Sequence, residues 1–246
     1  MVEPHKWKTQ RYADVGTSEP FLVRIVVGLP EILGGTKFGD KNKDAIQTAI
    51  VDIGSDCLTQ AFMALLEFRK AANDPDAAIL SKTKPFDDMC KWLWTAYKDR
   101  MVTATKLMGY DIGFLFQDDK KFEKGCTAFS ANHPEVHAEL IERMKLYRTG
   151  WQNLLCDFRN EFLEHRSKAS NSYAGFYSLK NAEVLFENVW TAIEDILILL
   201  MEPKVPVGFA IREIPEAERT PAMPKKYGWA WAQSTAPPTS DVKQET

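Results

Sequence analysis

Cysteine is scarce in this chain: Cys57, Cys90, Cys126 and Cys156 lie 30 or more positions apart, and no C-x-x-C pair occurs. With no secretory leader ahead of them, a disulfide framework is excluded and reduced thiols in a cytoplasmic protein are expected. Cys57, Cys90 and Cys156 fall at or beside apolar helical positions, which suits the core better than redox or metal chemistry. An excess of either charge is also missing. Thirty-one Lys and Arg against 34 Asp and Glu leave a net charge of −3 and a pI near 5.9, so any pull toward nucleic acid must come from a local patch. No unbroken apolar run reaches the length of about 18 residues that a membrane span requires, so no membrane partner is expected. Histidine is rare, and none of the four has a glutamate three residues before it, which excludes the Glu-x-x-His pairs of di-iron carboxylate bundles.

What is present is helical periodicity. Residues 1–42 lack it: a β-branched run from Phe21 to Val27 suggests one strand in an otherwise irregular arm, followed by Gly28, Gly34, Gly35 and Gly39. The glycines resemble a phosphate loop only superficially, because the G-x-x-x-x-G-K-[ST] order is absent, and a turn is expected. From Asp44, Ile46, Ile50, Ile53, Cys57, Ala61, Ala64, Leu65 and Phe68 recur every three or four residues until Asn73 and Pro75, which predicts a first helix over 43–72.

A second run starts near Pro85 and carries Phe86, Cys90, Leu93, Tyr97, Met101 and Ala104, ending before Asp118. After a polar connector, Pro134 marks the start of a third helix striped by Leu140, Met144, Tyr147, Trp151, Leu155, Phe158 and Phe162. Following a polar loop from Ser167 to Ser178, Ala182, Phe186, Val189, Ile193, Ile196 and Leu200 make a fourth, which ends before Pro203.

Amphipathic helices joined without strands must bury their stripes on one another, and the simplest solution is an all-α, antiparallel four-helix bundle over 43–202. The tail, 203–246, holds seven of the thirteen prolines and cannot build a core of its own. Trp229 and Trp231 are the exceptions there, suited to docking the tail on the bundle or on a partner.

Late in the third helix Arg159 is followed directly by Asn160 and, after five further positions are passed, by His165. This resembles the R-x(4-6)-H signature of the HEPN superfamily. The resemblance extends to the setting, late in a long helix of a helical bundle with a loop and an apolar helix after it, and it covers the helical region only. It implies a metal-independent endoribonuclease without cofactors, in defence or toxin-antitoxin systems. It also implies RNA as substrate, a homodimer, and an inhibitory partner protein in the toxin-antitoxin case.

The residues suit that chemistry. His165 can take the proton from a ribose 2′-OH or give one to the leaving 5′-oxygen. Arg159 can hold the scissile phosphate with its planar fork, and the amide of Asn160 can orient either. Around an ideal helix Lys145, Arg148, Arg159 and Arg166 share one flank, a basic strip fit for RNA backbone. His165 falls on the other edge of the apolar stripe, about 120° from Arg159. Either the helix loosens, the arginine reaches across, or one subunit's histidine serves the other's arginine, and the dimeric habit of the family favours the last.

Other readings of the same residues remain. His165 at the core edge beside Glu161, with Arg159 a solvated cation, gives a non-catalytic scaffold or a regulatory or nucleic-acid-binding protein. His133 and His137 are spaced for a metal with Glu135 or Cys126, but His165 is about 42 Å further along the helix and cannot join them. No metal site is expected. Ser-His-Asp and Cys-His hydrolase schemes lack a strand-turn-helix nucleophile site.

Overall fold

The computed structural model describes residues 20–76, 78–160, 177–219 and 225–231. His165, Arg166 and most of the Ser167–Ser178 loop lie outside the described residues. The described residues form a mostly helical, all-α architecture of six helices with one small two-stranded sheet.

The first helix, α1, runs through the consecutive segments Leu22–Gly28 and Leu29–Gly34. The strand expected over Phe21–Val27 is therefore helical. Phe21, Ile25 and Leu29 are spaced by four, and all three are buried, so one-sided burial on neighbouring helices overrides β propensity. The ring of Phe21 lies 5.4 Å from that of Phe62 and 5.3 Å from that of Phe186.

The second helix, α2, spans Asp40–Ala72 and buries Ile46, Ile50, Ile53, Cys57, Ala61, Leu65 and Phe68, as its spacing predicts. Gly54 lets α1 approach it closely, since a Cβ there would sit 2.4 Å from Cγ2 of Val26. By length and composition α2 is apolar enough to cross a membrane. Its apolar residues are interspersed with small and polar ones, so no unbroken apolar run marks it in the sequence. In this fold they pack against the other helices.

The third helix, α3, passes through Ile79–Trp94, Thr95–Arg100 and Met101–Leu107. Pro85 is inside it rather than at its start, at the cost of one intrahelical hydrogen bond. A short 3₁₀ turn, Gly113–Phe116, follows. The stretch expected to be a polar connector is instead helix α4, Asp119–Asn132, capped by Asp118, whose carboxylate accepts from the Lys121 amide at 3.0 Å. Its buried face is only Phe122, Cys126 and Phe129, too sparse to stand out among polar neighbours.

Helix α5 comprises Glu139–Tyr147, Arg148–Gln152 and Asn153–Phe158, starting five residues after Pro134. Helix α6, Leu179–Met201, begins at Ser178, whose hydroxyl accepts from the Asn181 amide. It packs against α1, α2, α3 and α5. Its last turns are buried on every side, as befits the centre of the fold.

Strands β1, Phe209–Glu213, and β2, Tyr227–Trp231, pair antiparallel with Ile211 opposite Trp229. The tail thus makes a hairpin-like sheet that uses the helices as its core. Trp229 packs against that core over Gly35, where any Cβ would come 2.2 Å from the indole.

Candidate functional site

Arg159 directly follows the Asn153–Phe158 segment of α5 and is itself in helical conformation. Aromatic packing holds this segment in place: Phe158 lies 5.7 Å from both Phe86 and Tyr177, and the latter two rings are 4.9 Å apart. A buried phenylalanine of this kind contributes about 1.5–3 kcal/mol, and ring pairing adds about 0.5–1.5. This stretch of α5 is therefore a packed platform for Arg159.

On that platform the half-buried Arg159 guanidinium sits 5.5 Å over the Trp94 ring and donates to Oδ1 of Asn160 at 3.2 Å. The Asn160 amide in turn donates to Sγ of Cys156 at 3.5 Å. Lys98 approaches the same indole, with Nζ 5.6 Å from its centroid. Burial, and then the charge of Asp157, push the Cys156 thiol above its ordinary range, so it is a neutral neighbour and not a nucleophile.

The platform borders a cleft of about 230 Å³ lined by Trp94, Phe116, Gln117, Asn153, Cys156 and Asp157 among others. The Arg159 guanidinium is thus held by an aromatic face and a neighbouring amide, next to Trp94 and Cys156 of the cleft lining. Trp94 itself is 4% exposed, and its indole N–H finds no acceptor among the described residues.

Of the basic strip expected along α5, Arg148 is taken up inside the fold. Arg148 is 7% exposed. It donates to the carbonyls of Leu115 at 2.9 Å and Gln117 at 2.7 Å and to Oδ1 of Asp119 at 2.9 Å, with its guanidinium over the Phe122 ring. Its role is to pin the Gly113–Phe116 turn and the start of α4. The helical wheel put Arg148 beside the apolar stripe, and the unforeseen α4 covers that edge. Lys145 remains at the surface, paired with Glu142 at 3.4 Å. Arg159 and Asn160 are brought together; His165 and Arg166 lie outside the described residues.

Two constellations escaped the sequence reading. Glu194 and Asp195, adjacent on α6, are 2% and 5% exposed. Arg24 pairs with Glu194 and lies over Trp190. Asp195 receives Arg143 at 2.6 Å, Tyr147 at 2.9 Å, Lys226 at 2.9 Å and Tyr227. Burial pushes the Glu194 carboxyl up. For Asp195 burial acts the same way, but hydrogen bonds from Tyr227 and Lys226 and the charges of Lys226 and Arg143 outweigh it and hold the carboxyl low. Two consecutive acids amid the apolar residues of 189–201 were the available signal.

The second constellation is Asp87, which accepts from the Tyr177 hydroxyl at 2.9 Å. Burial pushes its carboxyl up to about 6, against the pull of that hydrogen bond.

His133 and His137 do not converge. Nδ1 of His133 is 3.4 Å from Glu135, while His137 accepts the Glu139 amide at 3.1 Å. Among the described residues no group of three His, Cys, Asp or Glu side chains is placed to hold a metal ion. No family model matches the chain, and neither a characterised protein nor a solved structure is found to be similar to it.

Proposed function

We propose that this chain is a metal-independent endoribonuclease of HEPN type, built on an antiparallel helical bundle and acting as a homodimer, with Arg159, Asn160 and His165 at its centre. What supports this reading is the Arg159 guanidinium held against Trp94 and Asn160, with Trp94 itself and Cys156 lining the neighbouring cleft. An arginine held in that way loses little freedom on meeting a phosphate, and its two-pronged donors match the phosphate's oxygens.

In the reaction, the ribose 2′-oxygen attacks the adjacent phosphorus and the bond from phosphorus to the 5′-oxygen breaks, leaving a 2′,3′-cyclic phosphate and a free 5′-hydroxyl. The proton lost by the 2′-hydroxyl is the one His165 takes as base, and the 5′-oxygen gains the one His165 gives as acid. Arg159 offsets the charge that builds on the phosphate oxygens. Asn160 positions Arg159 through its side-chain oxygen. The host role that fits such an activity is defence or a toxin held by a partner protein.

The test is incubation of the purified protein with total RNA in EDTA, beside Arg159→Ala and His165→Ala. Cleavage by the wild type that falls by about 10²–10³-fold in each variant is expected. Cleavage undiminished in either variant removes that residue from the site. No cleavage by the wild type points to a non-catalytic scaffold.

A further inference from the structure

The cleft beside Arg159 does not stand alone. Gln117 lines it, and also lines two further clefts, of about 380 and 500 Å³, on either side of the Gly113–Phe116 turn. Phe116 is shared by the first and second, and Gly113 by the second and third. Through these shared residues the three clefts are neighbours, set from Cys156 and Asp157, past Lys98 and Thr103, to Lys106 and His133.

We propose that the three clefts act as one groove, a track for single-stranded RNA flanking the scissile phosphate; the proposal rests on the ribonuclease reading and names the form of its substrate. The rings of Phe114 and Phe116 are half-buried, so each keeps a surface in the groove on which an unpaired base can stack. Lys98 and Lys106, roughly 12 Å apart along α3, supply the phosphate contacts. The amides of Gln117 and Asn132 offer donors and acceptors to base edges. Paired bases hide their faces in the duplex stack, so a helix cannot use the rings.

Four carboxylates also face the groove, and they set how strongly it binds. Asp111 accepts the Gly113 amide at 2.9 Å and pairs with Lys106, and Asp118 caps α4 and pairs with Lys121 at 2.9 Å. With Asp99 and Asp157 the carboxylates outnumber Lys98 and Lys106, so the lining leans acidic. The track is therefore one of stacking and a few phosphate contacts, unlike a broad basic surface. The rigidity of its wall comes from Arg148 and Gln152, which both donate to the Leu115 carbonyl, at 2.9 and 2.7 Å.

The probe is a fluorescein-labelled, fully 2′-O-methylated RNA octamer, which offers no 2′-hydroxyl for cleavage, read by anisotropy against the full-length protein over a salt series. The same strand in a duplex serves as the comparison. The single strand is expected to bind more tightly than the duplex. Lys98→Ala with Lys106→Ala is expected to weaken binding about tenfold and to flatten the log K against log salt slope by about 1.4, the share of two phosphates on a single strand. Phe114→Ala is expected to weaken binding about tenfold with the slope unchanged. Lys41→Ala, on exposed α2 surface, leaves both unaltered.

An unchanged slope in the double lysine variant, or tighter binding of the duplex, overturns the track even if total RNA is still cut through Arg159. Binding that follows the expected pattern without any cleavage by the wild type leaves the track standing and sinks the nuclease reading. Thermal unfolding of each variant, unchanged within about 2 °C, separates lost contacts from lost fold.

Discussion

Nζ of Lys226 lies 2.9 Å from Oδ1 of Asp195, joining a segment next to β2 to the middle of the central helix. The carboxylate receives Arg143, Tyr147 and Tyr227 as well, so α5, α6 and the C-terminal sheet meet on one buried anion. Removing one partner of such an arrangement leaves the others desolvated and uncompensated.

Asp195→Ala is therefore expected to cost about 3–5 kcal/mol of unfolding free energy, read from the midpoint shift in urea at pH 7. The folded pKa of Asp195 lies below its usual value. Its contribution is thus present above the unfolded carboxylate range and is lost as pH falls through the folded value. Unfolding in acid below about pH 4 should be less steep in the variant than in the wild type. An equally steep acid transition in both would remove Asp195 from this role.

Asp87 runs in the opposite direction. Its carboxyl is pushed up to about 6 in the fold against about 3.9 unfolded, so the folded state binds the extra proton between those values. Ionised Asp87 therefore opposes folding at pH 7, and stability from this group rises as pH falls from 7 to 4. Asp87→Asn keeps an acceptor for the Tyr177 hydroxyl and is expected to stabilise the protein by about 1 kcal/mol at pH 7, a figure reduced for solvent screening. The gain should shrink as pH falls and vanish below about pH 3, when the wild-type group is protonated in both states. A variant less stable than wild type at pH 7 refutes the assignment.

Gly35 and Trp229 offer a test of how the C-terminal sheet is seated. A methyl group on residue 35 would come 2.2 Å from the indole, so Gly35→Ala is expected to destabilise by about 1–3 kcal/mol. In a Trp229→Ala background the clash partner is gone and the same change should cost far less. Equal costs in the two backgrounds would place the damage in the backbone of residue 35 and not in its packing on Trp229.

How much of this was legible beforehand follows from how each signal arises. The stripes of α2, α5 and α6 are long, so their period stood clear of local composition, and Ser178 and Pro203 bracket α6 as helix signals should. Helix α1 was concealed because Val23, Ile25, Val26 and Val27 carry β propensity, while the packing that overrides it comes from residues far along the chain. Helix α4 was concealed by having three buried positions, and Arg148 was misjudged with it, since a side chain at a stripe's edge is exposed or buried according to whether another helix covers it. Arg159 and Asn160 were legible because adjacency in sequence suffices to pair them. Their seat on Trp94 was not, because it depends on how α3 crosses α5.

The last prediction concerns the division of labour between subunits. On the proposed reading, each site takes Arg159 from one subunit and His165 from the other. Arg159→Ala and His165→Ala proteins, each inactive alone, are to be mixed, unfolded and refolded together. In a mixed dimer one site then carries both substitutions and the other carries none. Half of random dimers are mixed and each has one intact site of two, so roughly a quarter of wild-type cleavage should return. If both groups act from within one subunit, no pairing of these variants builds an intact site and the mixture stays as inactive as its parts. Retained inactivity, with mixed dimers demonstrated by differently tagged chains, would therefore confine the chemistry to a single chain.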